Sequence, residues 1–130
     1  MKKQAGFTLI ELVAVLVILA LLGAMAKGDI GMHFPDSDEE YRDIDSKILL
    51  KKVYMLLEAD GWELGNLDST LIIEEPKVSD YIPKMRAKLA SILKTDAENI
   101  SIKATTSETL GPEGRGEGIS AHAVVLIKRS

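Results

Sequence analysis

Three consecutive hydroxyl residues, Thr105, Thr106 and Ser107, then Glu108, and after two glycines Arg115, make "KATTSETLGPEGRGEG" the stretch best equipped for chemistry. Hydroxyls gathered at a strand end can donate to phosphate oxygens, and a guanidinium between glycines can grip a phosphate with two parallel bonds. The same residues also read as an ordinary glycine-rich hairpin loop whose Arg115 pairs with Glu117 at the surface. Both readings stand at this point.

Two further segments carry candidate groups. "GDIGMHFPDSD" sets Asp29 between glycines and follows it with Phe34, Pro35, Asp36, Ser37 and Asp38. Its aspartates can accept hydrogen bonds from hydroxyls, Gly31 permits close backbone approach, and the alternative is a tight acidic loop without a ligand. "EEPKV" joins Glu74 and Glu75 to Pro76 and Lys77, and otherwise simply leaves a sheet. His33 and His122 are the two histidines, and neither has a partner at metal-ligand spacing.

These groups need positioning elements. "DSKILLKKVYMLLEAD" spaces Ile48, Leu49, Val53, Leu56 and Leu57 along one helical face, with Gly61 where a helix would stop. "WELGNLDSTLIIEE" is rich in aliphatic and β-branched residues and reads as a strand ended by Pro76. "YIPKMRAKLASILK" reads as a helix with Pro83 tolerated in its first turn, and "NISIKATT" and "GISAHAVVLIK" alternate as strands. His122 should face away from Ala121 and Ala123. The pattern predicts an α+β fold, a small mixed sheet packed on helices and preceded by a long hydrophobic N-terminal helix.

The totals suit one domain: 130 residues, 46% hydrophobic, with no internal repeat. Lys and Arg number 16 against 20 Asp and Glu, and setting aside Lys2, Lys3 and Glu11 leaves 14 against 19, so no nucleic-acid partner is expected. Cysteine is absent, which removes disulfides and thiolate metal sites.

From Phe7 to Ala26 Glu11 is the only charge, and as a helix these twenty residues would reach about 30 Å, one bilayer core. The segment is apolar on every side, which predicts membrane insertion through residues 7–26; a buried helix of a domain is the alternative. "MKKQAGFTLIEL" resembles the class III signal of type IV prepilins and pseudopilins. That resemblance implies a basic leader over residues 1–6, cleavage between Gly6 and Phe7, methylation of the Phe7 amine, and a Glu11 carboxylate that pairs with a neighbouring subunit.

From about Ala20 onward, "ALLGAMAKGDIGMHFPDSD", "GWELGNLDSTLIIEEPK", "YIPKMRAKLASIL", "ISIKATTSETLGPEGRGEGI" and "AVVLIK" resemble the 2-C-methyl-D-erythritol 2,4-cyclodiphosphate synthases of the non-mevalonate isoprenoid pathway. The resemblance implies a domain over residues 27–130, a homotrimer, and a cytidine diphosphate-type substrate cyclised with release of CMP. It implies substrate contacts from Asp29, Ile30, Gly31, Phe34, Pro35, Asp36, Ser37 and Asp38. Ile73, Glu74, Glu75, Pro76, Lys77, Val78 and Ser79 would wrap the cytosine and its phosphate. Thr105, Thr106, Ser107, Glu108 and Arg115 would hold the diphosphate, with Thr106 stabilising the transition state and Glu108 helping to hold magnesium or manganese bridging the phosphates. Arg115 and Glu117 would lie near the trimer axis. Two departures stand out: Glu74 and Glu75 add acid beside the nucleotide, and Pro112 replaces the loop's usual aromatic.

The family's zinc ligands, an Asp-x-His pair on its first strand and a His on its first long helix, have no counterpart here, nor does a further catalytic His. Continued without gaps, the resemblance puts Val15 at the zinc-binding helix position and Phe7 at the catalytic one, and neither side chain has a lone pair to give. The sequence therefore reads as a truncated synthase, inactive alone, cytoplasmic by the enzyme family but inner-membrane by its start. A membrane-anchored pseudopilin-like subunit and a chimeric reading frame without selected function are the alternatives.

Overall fold

The computed structural model describes residues 2–25, 27, 30–33, 35, 37, 45–75 and 77–130, with the backbone alone for residues 2–8, 30 and 31. The first helix, α1, runs Lys2–Ala24. Its described residues Leu9, Ile10, Val13, Ala14, Val17, Ile18, Leu21 and Leu22 are buried, a stripe repeating every three or four positions, while Leu19 is 43% exposed. Composition could not reveal this stripe, because apolar residues occupy the outer face as well.

The stripe packs on α3 (Ser46–Ala59) and on β3 (Ser120–Arg129), and it joins the hydrophobic core cluster of the described residues. This corrects the membrane reading of residues 7–26: one face of the helix is spent on the protein core. Among the described residues no helix is long and apolar enough to cross a membrane. Glu11 is half-buried on this helix, whereas Gly6 and Phe7 are described by their backbone alone.

A four-residue helix, α2 (Ile30–His33), lies where the sequence suggested only a loop. α3 begins at Asp45, whose carboxylate accepts from the Lys47 N–H at 2.8 Å and so satisfies one of the helix's free donors. Its buried face is Leu50, Val53, Tyr54 and Leu57. The expected face is thus turned: Val53 and Leu57 point inward, but Ile48 and Leu56 are exposed. The buried set keeps helical spacing, and α1 and the sheet decide which of two overlapping apolar stripes is covered.

β1 (Trp62–Ile72) is the centre of a three-stranded sheet, parallel to β2 (Ile100–Thr105) and antiparallel to β3. Strand β1 ends at Ile72, short of the predicted Glu75, and Pro76 lies outside the described residues. Leu67, Ser69 and Leu71 alternate into the core, as the period of two in a strand demands, and Leu64, on the far side of a bulge, is buried three positions before Leu67. At the β1–β3 register shift, a Cβ on Gly65 would stand 3.0 Å from the Leu126 carbonyl oxygen, so the bulge is built for glycine.

Parallel pairing requires a crossover, which α4 (Ile82–Ile92) supplies, with Pro83 in its first turn and Met85, Leu89 and Ala90 buried. Arg86 anchors the end of this crossover by donating to the Ile100 and Ala97 carbonyls, each at 2.8 Å. The helices cover one face of the sheet. On the other, His122, Val124, Leu126 and Lys128 of β3 are exposed, and His122 faces away from the partly buried Ala121 and Ala123.

Candidate functional site at the ends of the parallel strands

Because β1 and β2 run parallel, both chains leave the sheet at the same edge, Ile72 opposite Thr105. The Ile73 N–H donates to the Thr105 carbonyl at 2.9 Å, which holds the two exits together. Crevices beyond the carboxyl ends of parallel strands are where open α/β sheets take ligands. Here a cavity of about 300 Å³ is lined by Ile73, Glu74, Lys77, Val78, Ser79, Ile82 and Ala104 to Thr106. Two segments separated by some thirty residues in sequence therefore form one wall-and-floor arrangement, with one ammonium and two threonine hydroxyls.

The loop after β2 is shaped by its own hydrogen bonds. The Thr106 Oγ1 accepts from the Glu108 N–H at 3.3 Å, which leaves its own proton free to donate. Ser107 spends its proton on the Leu110 carbonyl at 2.6 Å. Glu108 and Thr109 both take left-handed backbone angles, φ 56° and 64°, which non-glycine residues rarely adopt. The Thr109 N–H donates to Glu74 Oε1 at 2.8 Å across 35 positions of sequence.

α5 (Gly111–Gly114) then turns the chain back. A Cβ on Gly114 would stand 2.2 Å from the Thr109 carbonyl carbon, so only glycine lets these two backbones touch.

A second hollow of about 500 Å³ lies beside the first, lined by Glu74, Glu75, Glu113 to Glu117, Gly118 and Ile119. Arg115 lines this hollow and is not among the groups around the threonine cavity. Its guanidinium donates to Glu117 through Nε at 2.7 Å and Nη2 at 3.2 Å. Glu113 accepts from the Ser120 hydroxyl, and that bond holds its carboxyl below the usual carboxylate range.

The predicted groups thus divide. Ile73, Glu74, Lys77, Val78, Ser79, Thr105 and Thr106 meet at one cavity, and Glu74, Glu75 and Arg115 at the other. Ser107 and Glu108 belong to the connecting loop. Pro35 is half-buried and Ser37 exposed, and neither lines these cavities. Ile30 and Gly31 are placed by backbone alone, and Asp29, Phe34, Asp36, Asp38 and Pro76 lie outside the described residues. Thr109, Glu113 and Gly114 escaped notice in the sequence; a glycine following Pro112 and Glu113 was the only available hint of a close approach.

A zinc ion does not fit the described donors. No three His, Cys, Asp or Glu side chains among them come together in a metal-sized group. The His33 ring is engaged with the Lys27 carbonyl, and His122 stands on the outer sheet face. A magnesium ion demands less of the protein, because one or two carboxylates plus substrate phosphates hold it; the Glu108 side chain is exposed on the loop after β2.

The sequence and fold have relatives. The YgbB family model matches residues 12–128, so the match begins inside α1. The chain is 54% identical to the 2-C-methyl-D-erythritol 2,4-cyclodiphosphate synthase of Prochlorococcus marinus (strain MIT 9215), covering 85% of this chain and 66% of that one. It is 53% identical to the synthase of Syntrophomonas wolfei, covering 85% and 71%. Among solved structures, the CDP complex of the Plasmodium falciparum enzyme superposes with a TM-score of 0.76 at 28% identity, over 87% of this chain and 67% of that one. The chain spans about two thirds of the length of these relatives. A match along nearly all of the core, in sequence and in fold alike, leaves one assignment: this chain belongs to the YgbB family, that of the 2-C-methyl-D-erythritol 2,4-cyclodiphosphate synthases.

Proposed function

We propose that the chain serves the cyclodiphosphate synthase reaction of isoprenoid biosynthesis, in which a 2-phosphate closes on a cytidylyl diphosphate and CMP leaves. Its own contribution is to hold the nucleotide diphosphate. One observation carries this reading: Ile73, Glu74, Lys77, Val78 and Ser79 meet Thr105 and Thr106 at the same cavity beyond the parallel strands. In this reading backbone groups of the first segment contact the base and Lys77 supplies charge, and the Thr106 hydroxyl has a proton free for a phosphate oxygen. The Plasmodium falciparum relative, solved with CDP, supports a cytidine-type ligand.

Glu108 is the residue of this chain that would help hold a divalent ion on the phosphates. Zinc is not assigned to its described side chains, and the chain alone is therefore expected to bind nucleotide without turning over substrate. Self-association through the outer sheet face, where Val124 and Leu126 are 70% and 58% exposed, is consistent with a trimer. Processing between Gly6 and Phe7 rests on the resemblance of the leader, and intact-mass spectrometry of the purified chain reads it directly.

Isothermal titration with CDP tests the proposal. Saturable binding that is lost in Lys77→Met with Thr106→Val is the expected result. No measurable heat from the folded wild-type protein at millimolar CDP would sink the reading.

A further inference from the structure

Glu74, which the family resemblance sets among the residues around the base, occupies a position that this role does not explain. It stands two residues beyond β1 and borders both hollows, so it forms the partition between them. One carboxylate oxygen, Oε1, accepts from the Thr109 N–H at 2.8 Å, and the other, Oε2, is inaccessible to water and has no hydrogen-bond partner among the described residues. A carboxylate beside a diphosphate repels it, so direct ligand contact is a poor use of this side chain. Its bond runs instead to a turn that needs holding.

Glu108 and Thr109 are consecutive non-glycine residues in left-handed geometry, a conformation that persists only where surrounding contacts over-determine it. The peptide preceding Glu108 sends its N–H to Thr106 Oγ1, and it is this bond that leaves the Thr106 proton as the donor toward the cavity. Gripping the next N–H, that of Thr109, keeps the turn in the geometry on which the Glu108-to-Thr106 bond depends.

From this we propose that Glu74 is a positioning residue: by accepting from Thr109 it locks the Glu108–Thr109 turn and thereby aims the Thr106 hydroxyl at the ligand's phosphates. This rests on the nucleotide reading above, and deepens it by giving the base-side segment control of the phosphate-side loop. The feature needed is the acceptor oxygen and not the charge. Glu74→Gln keeps a carbonyl oxygen in the same place, whereas Glu74→Ala removes it.

Two measurements on the full chain separate the possibilities. Amide hydrogen exchange at Thr109 reads the tie without any ligand: protection is retained in E74Q and lost in E74A. Titrations with CDP and with cytidine then read its consequence. E74A weakens CDP about ten- to a hundredfold, the factor a hydrogen bond to a charged group carries, while cytidine affinity stays within about twofold and E74Q stays near wild type for both. The inference is overturned if Thr109 is equally protected in all three proteins, if E74A leaves CDP affinity unchanged, if CDP and cytidine weaken together, or if E74Q behaves as E74A. Failure of the wild type to bind CDP removes the nucleotide reading and this inference with it, and the exchange result then shows whether the tie is merely structural.

Discussion

The sharpest disagreement between composition and fold concerns α1, and two neighbouring side chains resolve it. Ile18 is fully buried against the sheet and α3, while Leu19, the next residue, is 43% exposed. In the packed domain Ile18→Ala removes buried methyl groups and leaves a cavity, at a cost of about 2–5 kcal/mol. Leu19→Ala loses little packing and gains helix propensity, so its net effect should stay within about 0.5–1 kcal/mol. For a domain of this size a loss of 2–5 kcal/mol lowers the melting temperature by roughly 6–20 °C, against a few degrees or less for Leu19→Ala. Thermal melts followed by circular dichroism, without detergent, measure both. A helix that instead sought lipid would bury all its faces alike, and the two substitutions would then act similarly; equal shifts, or folding that depends on detergent, would refute the packing argument. The same logic applies to a variant lacking residues 1–26. Removing eight core residues uncovers the faces of α3 and β3 that α1 packs against, so that variant should aggregate more than the full chain.

Gly114→Ala drives a Cβ into the Thr109 backbone at 2.2 Å and must open the loop; CDP affinity should fall at least tenfold by calorimetry, with a stability loss of about 1–3 kcal/mol in urea melts. The Ser69 hydroxyl is buried in the core and its Oγ finds no partner among the described residues, so Ser69→Ala should be neutral or stabilise by up to about 1 kcal/mol; a loss above that would reveal a partner outside them. The Glu113 carboxyl is held low by the Ser120 hydroxyl, so its stabilising contribution is present above the unfolded carboxyl's range and fades as pH falls through the folded value. Ser120→Ala should flatten that acid-side loss in melting temperature measured from pH 6 down to pH 2.5, and an unchanged slope would count against the bond. Arg86→Lys should destabilise nearly as much as Arg86→Ala, because one ammonium cannot reproduce the fork that reaches both the Ile100 and Ala97 carbonyls, and chemical denaturation of the pair checks this.

The three strands and the two longer helices past Asp45 were legible because local signals agree there, whereas the four-residue α5 lies in what read as a loop. Aliphatic and β-branched content marks β1, alternation marks β2 and β3, and Pro83 and Gly61 mark ends where the chain does turn. The face of α3 was only half legible, since Ile48, Leu50, Leu56 and Leu57 offer two overlapping stripes and nothing within the helix ranks them. At the candidate site, residue types pointed to phosphate handling and to the two segments involved. Their separation into a threonine cavity and an acidic hollow was not legible, because it depends on how two loops distant in sequence fold beside each other. The Arg115–Glu117 pair, one of the two readings of that loop, is the one the fold adopts.

By itself, then, the sequence determined which family this chain joins, where most of its strands lie, and which groups could meet a phosphate, because each of these is written in residue type and short-range spacing. Only the tertiary structure decided that the apolar N-terminal segment serves a protein core and that Glu74 reaches Thr109. Both depend on what lies opposite a side chain in space. A helix apolar on every side carries no record of its partner, and a contact spanning 35 residues exists only once β1 and β2 lie parallel.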